Sequence, residues 1–521
     1  MIGGASALTM TWHCMSGEAF MWKHVFLVAV LGASIPSFAQ ARTYFIDSVH
    51  GDDHAAGTDR HHPWRSLDKV NEQQFHAGDH ILFLAGDVWS GQLRVQNSGS
   101  PSMPIVFGQY GKGKKPKIDG AGLVEDGVLL RNVEEVEVRN FEITNHGEKP
   151  SPRRGVHLVL DNFGVAHHIT LSDLYIHDVN GTNDAKDNGG IIFRTLGEAK
   201  PSRFDDLRIE RNIVWRVDRS GIAADSYFAN REHWFPSTHV VLRDNYVSDV
   251  GGDGIVPWAT DRVLVEHNVV LYANSRADSY NAGIWPWSAD NSVFQLNEAA
   301  HTQNTKDGEG FDSDYNSRNT LFQYNFSHEN EGGFMLICTP GNRNPLENIG
   351  NTGTVVRMNV SWMDHNRLVN LNGADDVTVA DNVFYVGPQQ TVQALLVSNW
   401  EGWSKNAAFT RNRFYIEGSV SYGHEVNRDQ HGLYTIASGW GPAQDIRFFG
   451  NRYFGKGAIA PNSEEFVNHA EAAPELPGSE PTFDPSHPEC FSDFLKQHRI
   501  WMIGMLEKVL QTKVRLANAA S

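Results

Sequence analysis

Cysteine is close to absent. The 521 residues contain three, Cys14, Cys338 and Cys490, too few and too scattered for a disulfide framework, and none in a metal-type spacing. Cys338 ends an apolar stretch and reads as a buried thiol. Positive charge is also short: 44 Lys and Arg stand against 62 Asp and Glu, a net charge of −18. That excludes nucleic acid and an anionic membrane surface as main partners, because both require a basic face. It also weighs against a polyanionic substrate. Runs long enough to span a bilayer are missing. Val25 to Ala33 has signal-peptide length, and no later segment is long and apolar enough for a membrane helix.

The N-terminal run has the other parts of an export signal. Met21 and Lys23 make a short positive region before it, and Ala39-Gln-Ala41 fits a small-x-small cleavage pattern. Residues 1–20 read as an upstream extension, and 1–41 together as leader and signal peptide. The mature chain is then expected to be secreted or periplasmic, monomeric and not inserted in a membrane. An uncleaved anchor is the alternative.

What is present is a repeat. Hydrophobic residues make up 40% and charged residues 20%, a composition that folds. A strand–Asn–strand pattern recurs at Asn212, Asn245, Asn268, Asn297, Asn325, Asn359, Asn382, Asn412 and Asn451, with Asn140 as a candidate early member. Spacings run from 23 residues (Asn245 to Asn268) to 39 (Asn412 to Asn451). Such variation excludes a helical repeat and suits stacked coils with insertions at one turn. Asn tolerates left-handed backbone, and its amide both donates and accepts, so stacked coils would let each amide bond the next.

A second register begins at a glycine: GVHLV (Gly155), GIIFR (Gly190), GIAAD (Gly221), GIVPW (Gly254), GIWPW (Gly283), GFDSD (Gly310) and GFMLI (Gly333), with LVNLN from Leu368 continuing it. These strands are expected to stack in parallel, in that order, in one sheet. Alternation along each strand assigns two outward columns. One runs His157, Ile192, Ala223, Val256, Trp285, Asp312, Met335, Asn370; the other runs Val159, Arg194, Asp225, Trp258, Trp287, Asp314, Ile337, Asn372. With coils about 4.8 Å apart, the middle of this face carries tryptophans, aspartates and an arginine in one patch. Residues of about 42–120 read as a capping segment leading into the first coil. The chain therefore divides into a leader (1–41), a solenoid with its N-terminal cap (42–473), and a Pro-rich linker with a C-terminal helix (474–521).

The segments TYFIDSVHGDD, PWRSLDKVN and GDHILFLAGDVWSGQL, followed by repeats such as GEGFDSDYNSRNTLFQYNFSHENEGGF, resemble the bacterial right-handed parallel β-helix repeat proteins of the pectate-lyase-like, polysaccharide-active superfamily. The resemblance covers most of the mature chain. It implies an all-β right-handed parallel β-helix. It leaves lyases, polygalacturonase-like hydrolases, epimerases and noncatalytic adhesins open. The ordered Asn-Thr-Asp, Asp-Asp, Gly-His-Gly and Arg-Ile-Lys set of polygalacturonases is not found.

The densest acidic element is Asp307-Gly-Glu-Gly-Phe-Asp-Ser-Asp314. On an extended strand, Asp312 and Asp314 share a face with Cα atoms about 6.5–7 Å apart, near the separation of about 6.5–9.5 Å that inverting glycosidases use to admit water. They are the leading catalytic candidates, with Glu309, Asp253 and Glu331 as reserves. Ca²⁺ held by the same acids is one alternative, and solvated turn acids are another; the hydrolytic reading needs no cofactor. Trp258, Trp285 and Trp287 suit a sugar face, or else form an aromatic ladder. Arg194, Asp225 and Asn370 are further substrate-binding candidates. His301 and His328 are candidate acid/base groups weighed against a structural role. The leading expectation is a polysaccharide or oligosaccharide hydrolase. A lyase using Lys306 or Arg194, with Ca²⁺ as an option, and a noncatalytic carbohydrate-binding surface protein are the rivals.

Overall fold

The computed structural model describes residues 40–517 apart from 340–343, 345–347, 401, 429–433, 462–463, 465–467, 470–471 and 477. All of the leader expected over 1–41 except Gln40 and Ala41 thus lies outside the described residues. Short strands repeat around a coil and pair with their counterparts one coil on. This makes a right-handed parallel β-helix with three faces. The first face is a sheet of 19 strands and the second a sheet of 14. The third face comprises two sheets of six. Aromatic and aliphatic side chains fill the interior and stack with the coils, as Phe294 on Phe322 with ring centroids 4.6 Å apart and Phe409 on Phe448 at 4.5 Å.

The asparagines form the expected ladder at the turn between the first and second faces. From Asn212 to Asn451, each backbone N–H and each side-chain Nδ2 donates to Oδ1 of the next asparagine, at 2.9–3.0 Å. Nδ2 also donates to a main-chain carbonyl, as Asn325 does to Phe294. Two details correct the sequence reading. The left-handed residue is the one before each asparagine: Arg211, Asp244, His267, Leu296, Tyr324, Met358, Asp381 and Arg411 have φ of 53–62°. Each such residue costs about 1–2 kcal/mol, and the hydrogen bonds at each rung, at about 0.5–1.5 kcal/mol apiece, offset it. Asn140 is not a rung; its φ is 61°, so it occupies the left-handed site itself.

The N-terminal end is covered by a short helix, Leu67–Asn71, capped by the Ser66 side chain, with Leu67 and Val70 buried. The long C-terminal helix, Phe491–Leu510, buries Phe491, Phe494, His498, Met502, Met505, Leu506 and Val509. It packs on outward side chains of the second face, among them Tyr246, Val269, Phe326, Val360 and Tyr415. Among the described residues no helix is long and apolar enough to cross a membrane.

On the third face the strands stack in the expected order and in parallel. Midway, the ladder thins to single bridges: Ile255 pairs Ile284, and Ile284 pairs Phe311. The first outward column holds from His157 to Asp312 and then slips by one residue; the second holds only from Val159 to Asp225, because Trp258 and Trp287 open strands of the first face instead. Asp312 pairs Leu336, which pairs Asn370, while Met335 pairs Phe311 and Val369. Met335 and Ile337 therefore point into the core, and Leu336 and Cys338 point outward. The cause is the double glycine Gly332-Gly333. Gly333 (φ 131°) corresponds to Gly189 (φ 147°), not to Gly190: each would drive a Cβ into a carbonyl of the next coil, Arg367 and Ser220 respectively. The strand phase thus starts at Phe334.

Candidate active site

Where the ladder thins, the outward side of the third face does not meet open solvent. Ile192, Ala223, Val256 and Trp285 form a buried apolar pad. Beside it lies a cavity of about 330 Å³. Its acidic wall is Asp307, Asp312 and Asp314, from the Glu309–Ser313 strand and its flanks. Its aromatic walls are Trp258, Trp287, Tyr280 and Trp400. Lys186 brings one cation to it. A larger cavity of about 1020 Å³ lies on the C-terminal segment around Lys115, Arg211 and His487; its acids Glu142, Asp173 and Glu489 are paired with His177, Arg211 and His487.

The three aspartates differ in access and partners. Asp312 is only 3% exposed, and its Oδ1 has no hydrogen-bond partner. Burial first, then the charges of Asp314 and Asp307, push its carboxyl well above the usual range. Asp307 is half-buried and its carboxyl is likewise pushed well above the usual range, by burial and then by Glu309. Asp314, also half-buried, accepts from the Cys338 thiol at 2.9 Å and from the Tyr315 N–H at 2.7 Å. Burial raises it, but these bonds favour its charged form and it stands at about 6. Asp312, Asp314 and Cys338 each bring one donor atom within 4.8 Å of the others. That is closer than the roughly 6.5–9.5 Å of an inverting pair, so these two aspartates do not match that arrangement.

The reserve acids lie elsewhere. Asp253 is fully buried and saturated: Oδ1 accepts from Trp285 Nε1 at 3.0 Å, and Oδ2 from Lys186 at 2.8 Å and Arg219 at 3.2 Å. It positions the lysine and the indole. Glu309 is fully buried and ion-paired to Arg367 at 2.8 Å. Glu331 is exposed and accepts from the Asn304 N–H at 2.5 Å.

Among the tryptophans, Trp258 and Trp287 are half-buried and Trp285 is buried. The first two pair with each other as the opening residues of strands on the first face. They therefore stand at the corner, with ring centroids 3.8 Å apart. Their indole N–H groups are buried without partners. Lys186 sits 4.5 Å over the Trp285 ring. Arg194 and Asp225 bond each other at 2.6–2.8 Å on earlier coils. Asn370, fully buried, has Nδ2 unpartnered. Lys306 is exposed and paired with Asp278. His301 stacks on Tyr272, and His328 faces Glu298.

Sequence reasoning left out Asp307, Lys186, Tyr280 and Trp400 as site residues. Asp307 heads the acidic element but precedes the strand, where alternation gives no face. The other three lie outside the strands, in loops, where no period marks them.

No protein-family model matches the chain. It is similar to a lacto-N-biosidase of Bifidobacterium longum subsp. longum, at 29% identity over 455 aligned residues; the match covers 67% of this chain but only 28% of that protein. In three dimensions it is similar to the native GH136 lacto-N-biosidase of Eubacterium ramulus, with a TM-score of 0.62 and 29% identity over 72% of this chain and 68% of that one.

Proposed function

We propose that this chain is a glycoside hydrolase acting on an oligosaccharide in the Asp307–Asp312–Asp314 cavity. The observation that carries the reading is the splitting of three neighbouring carboxyls by their surroundings. Asp314, at about 6, is ionised at neutral pH, with its carboxylate oriented by Cys338 and Tyr315. Asp307 stays protonated and is half-exposed at the cavity wall, so it can deliver a proton to the leaving oxygen. Asp314 then acts on the anomeric carbon, directly or through water. Asp312 lies behind them, keeps its own proton, and supports the split electrostatically. Trp258 and Trp287 offer ring faces to the sugar. The similarity to lacto-N-biosidases supports a substrate containing a lacto-N-biose unit. Export is part of this reading and rests on the Val25 to Ala33 run and Ala39-Gln-Ala41.

The test uses Asp307→Asn and Asp314→Asn singly, on an aryl lacto-N-bioside and on an oligosaccharide carrying a lacto-N-biose unit. Asp314→Asn is expected to lose at least about a hundredfold in turnover on both. Asp307→Asn is expected to lose as much on the oligosaccharide and far less on the aryl substrate, whose leaving group needs no proton. Near-normal turnover of both variants on the oligosaccharide would sink the assignment. Binding without turnover by the unaltered protein would instead favour a carbohydrate-binding role.

A further inference from the structure

On the second face, under the C-terminal segment, four side chains from three distant parts of the chain converge. Glu298 and His328 come from successive coils, on strands Glu298–Ala300 and Phe326–His328. His498 comes from the C-terminal helix, and Glu480 from the Pro-rich segment before it. Glu298 and His498 are fully buried, and His328 is 7% exposed. His498 Nε2 lies 2.6 Å from Glu298 Oε2. His328 Nε2 lies 3.4 Å from Glu298 Oε1 and 3.8 Å from Glu480 Oε2.

Those last two distances decide between readings. Charge-assisted hydrogen bonds from imidazolium to carboxylate run about 2.7–2.9 Å, and one N–H cannot serve two acceptors well. Donor atoms around a tetrahedral ion with bonds of about 2.0–2.2 Å lie about 3.3–3.6 Å apart, which brackets the spacing to Glu298 and approaches that to Glu480. We propose that Glu298, His328 and Glu480 form a zinc site that clamps the C-terminal segment to the β-helix, with His498 Nε2 holding the other oxygen of Glu298 at 2.6 Å. One imidazole nitrogen and two carboxylates are donors that Zn²⁺ accepts; Ca²⁺ requires six to eight oxygens.

The experiment uses the full chain carrying Cys338→Ser, which removes the thiol of the Asp312–Asp314–Cys338 group as a competing soft ligand. The protein is stripped with chelator, then titrated with Zn²⁺ against a chromophoric chelator and followed by thermal unfolding. One equivalent should bind at about micromolar affinity or tighter, raise the melting temperature by several degrees, and not be replaced by Ca²⁺. Adding Glu480→Gln, at a partly exposed position chosen to preserve folding, should weaken binding at least about tenfold with an unchanged circular dichroism spectrum. Absence of zinc binding below about 10 µM would overturn the proposal. So would unchanged affinity in the Glu480→Gln protein.

Discussion

The asparagine turn and the third face are built by the same coils, yet they behave as opposites. At the turn each coil from Asn212 to Asn451 contributes the same residue, every amide is paired, and the geometry repeats at 2.9–3.0 Å for eight steps. On the third face the ladder thins to single bridges at Ile284, and polar atoms stand buried without partners, including Asp312 Oδ1 and the indole N–H groups of Trp258 and Trp287. One region spends its polar groups on itself. The other leaves them unpaired, which costs stability.

The largest expected effect joins the two regions. Asp253 is buried at the back of the cavity and compensates the fully buried Arg219. Asp253→Ala should destabilise the fold by about 3–5 kcal/mol, because it strands that charge, and should also free Lys186 and lower activity. Denaturant unfolding with a parallel assay checks this; a stable variant would show that the cavity wall is not braced by this residue. Next in size, Asn325→Ala removes one rung. It leaves the Asn297 N–H and the Phe294 carbonyl without partners, at about 1–3 kcal/mol for each buried group. A loss of about 2–4 kcal/mol is expected, with kcat/KM within about twofold while the protein remains folded. A large activity loss at full stability would break the division between the two regions.

The smallest effect tests the electrostatics of the cavity. With Asp314 at about 6, kcat/KM should be full above that pH and fall about tenfold per unit below it. The sign for stability is opposite. A carboxyl whose folded value lies above its unfolded 3.8 adds stability below pH 3.8, and that contribution is lost as pH rises through about 6. Cys338→Ala removes the thiol that favours the carboxylate. The acid limb should move upward, and activity at pH 6 should drop about two- to threefold. An unmoved limb would mean that the thiol does not tune Asp314.

What was legible in the sequence follows the same division. The ladder could be read because one residue type recurs in one strand context, and stacking turns recurrence into contact. Asp312 and Asp314 could be placed on one face because alternation is strict along a strand. The phase was lost at Gly332-Gly333, where two glycines offered two starting points and only the approach of the Arg367 carbonyl selects between them. Lys186, Tyr280 and Trp400 could not be read. Their reach to the cavity depends on loop paths, and no periodicity encodes a loop.

The rungs also explain how this architecture admits novelty. Consecutive rungs are separated by anywhere from 23 to 39 residues, yet the hydrogen bonds that join them do not lengthen. The amide column acts as a gauge, returning every coil to the same height and phase whatever was inserted since the last one. Loops over the third face can therefore grow, shrink or be exchanged without disturbing the scaffold's registration. A transplanted loop that keeps its flanking asparagines should dock in frame, so the pocket's walls are interchangeable parts on a fixed rail.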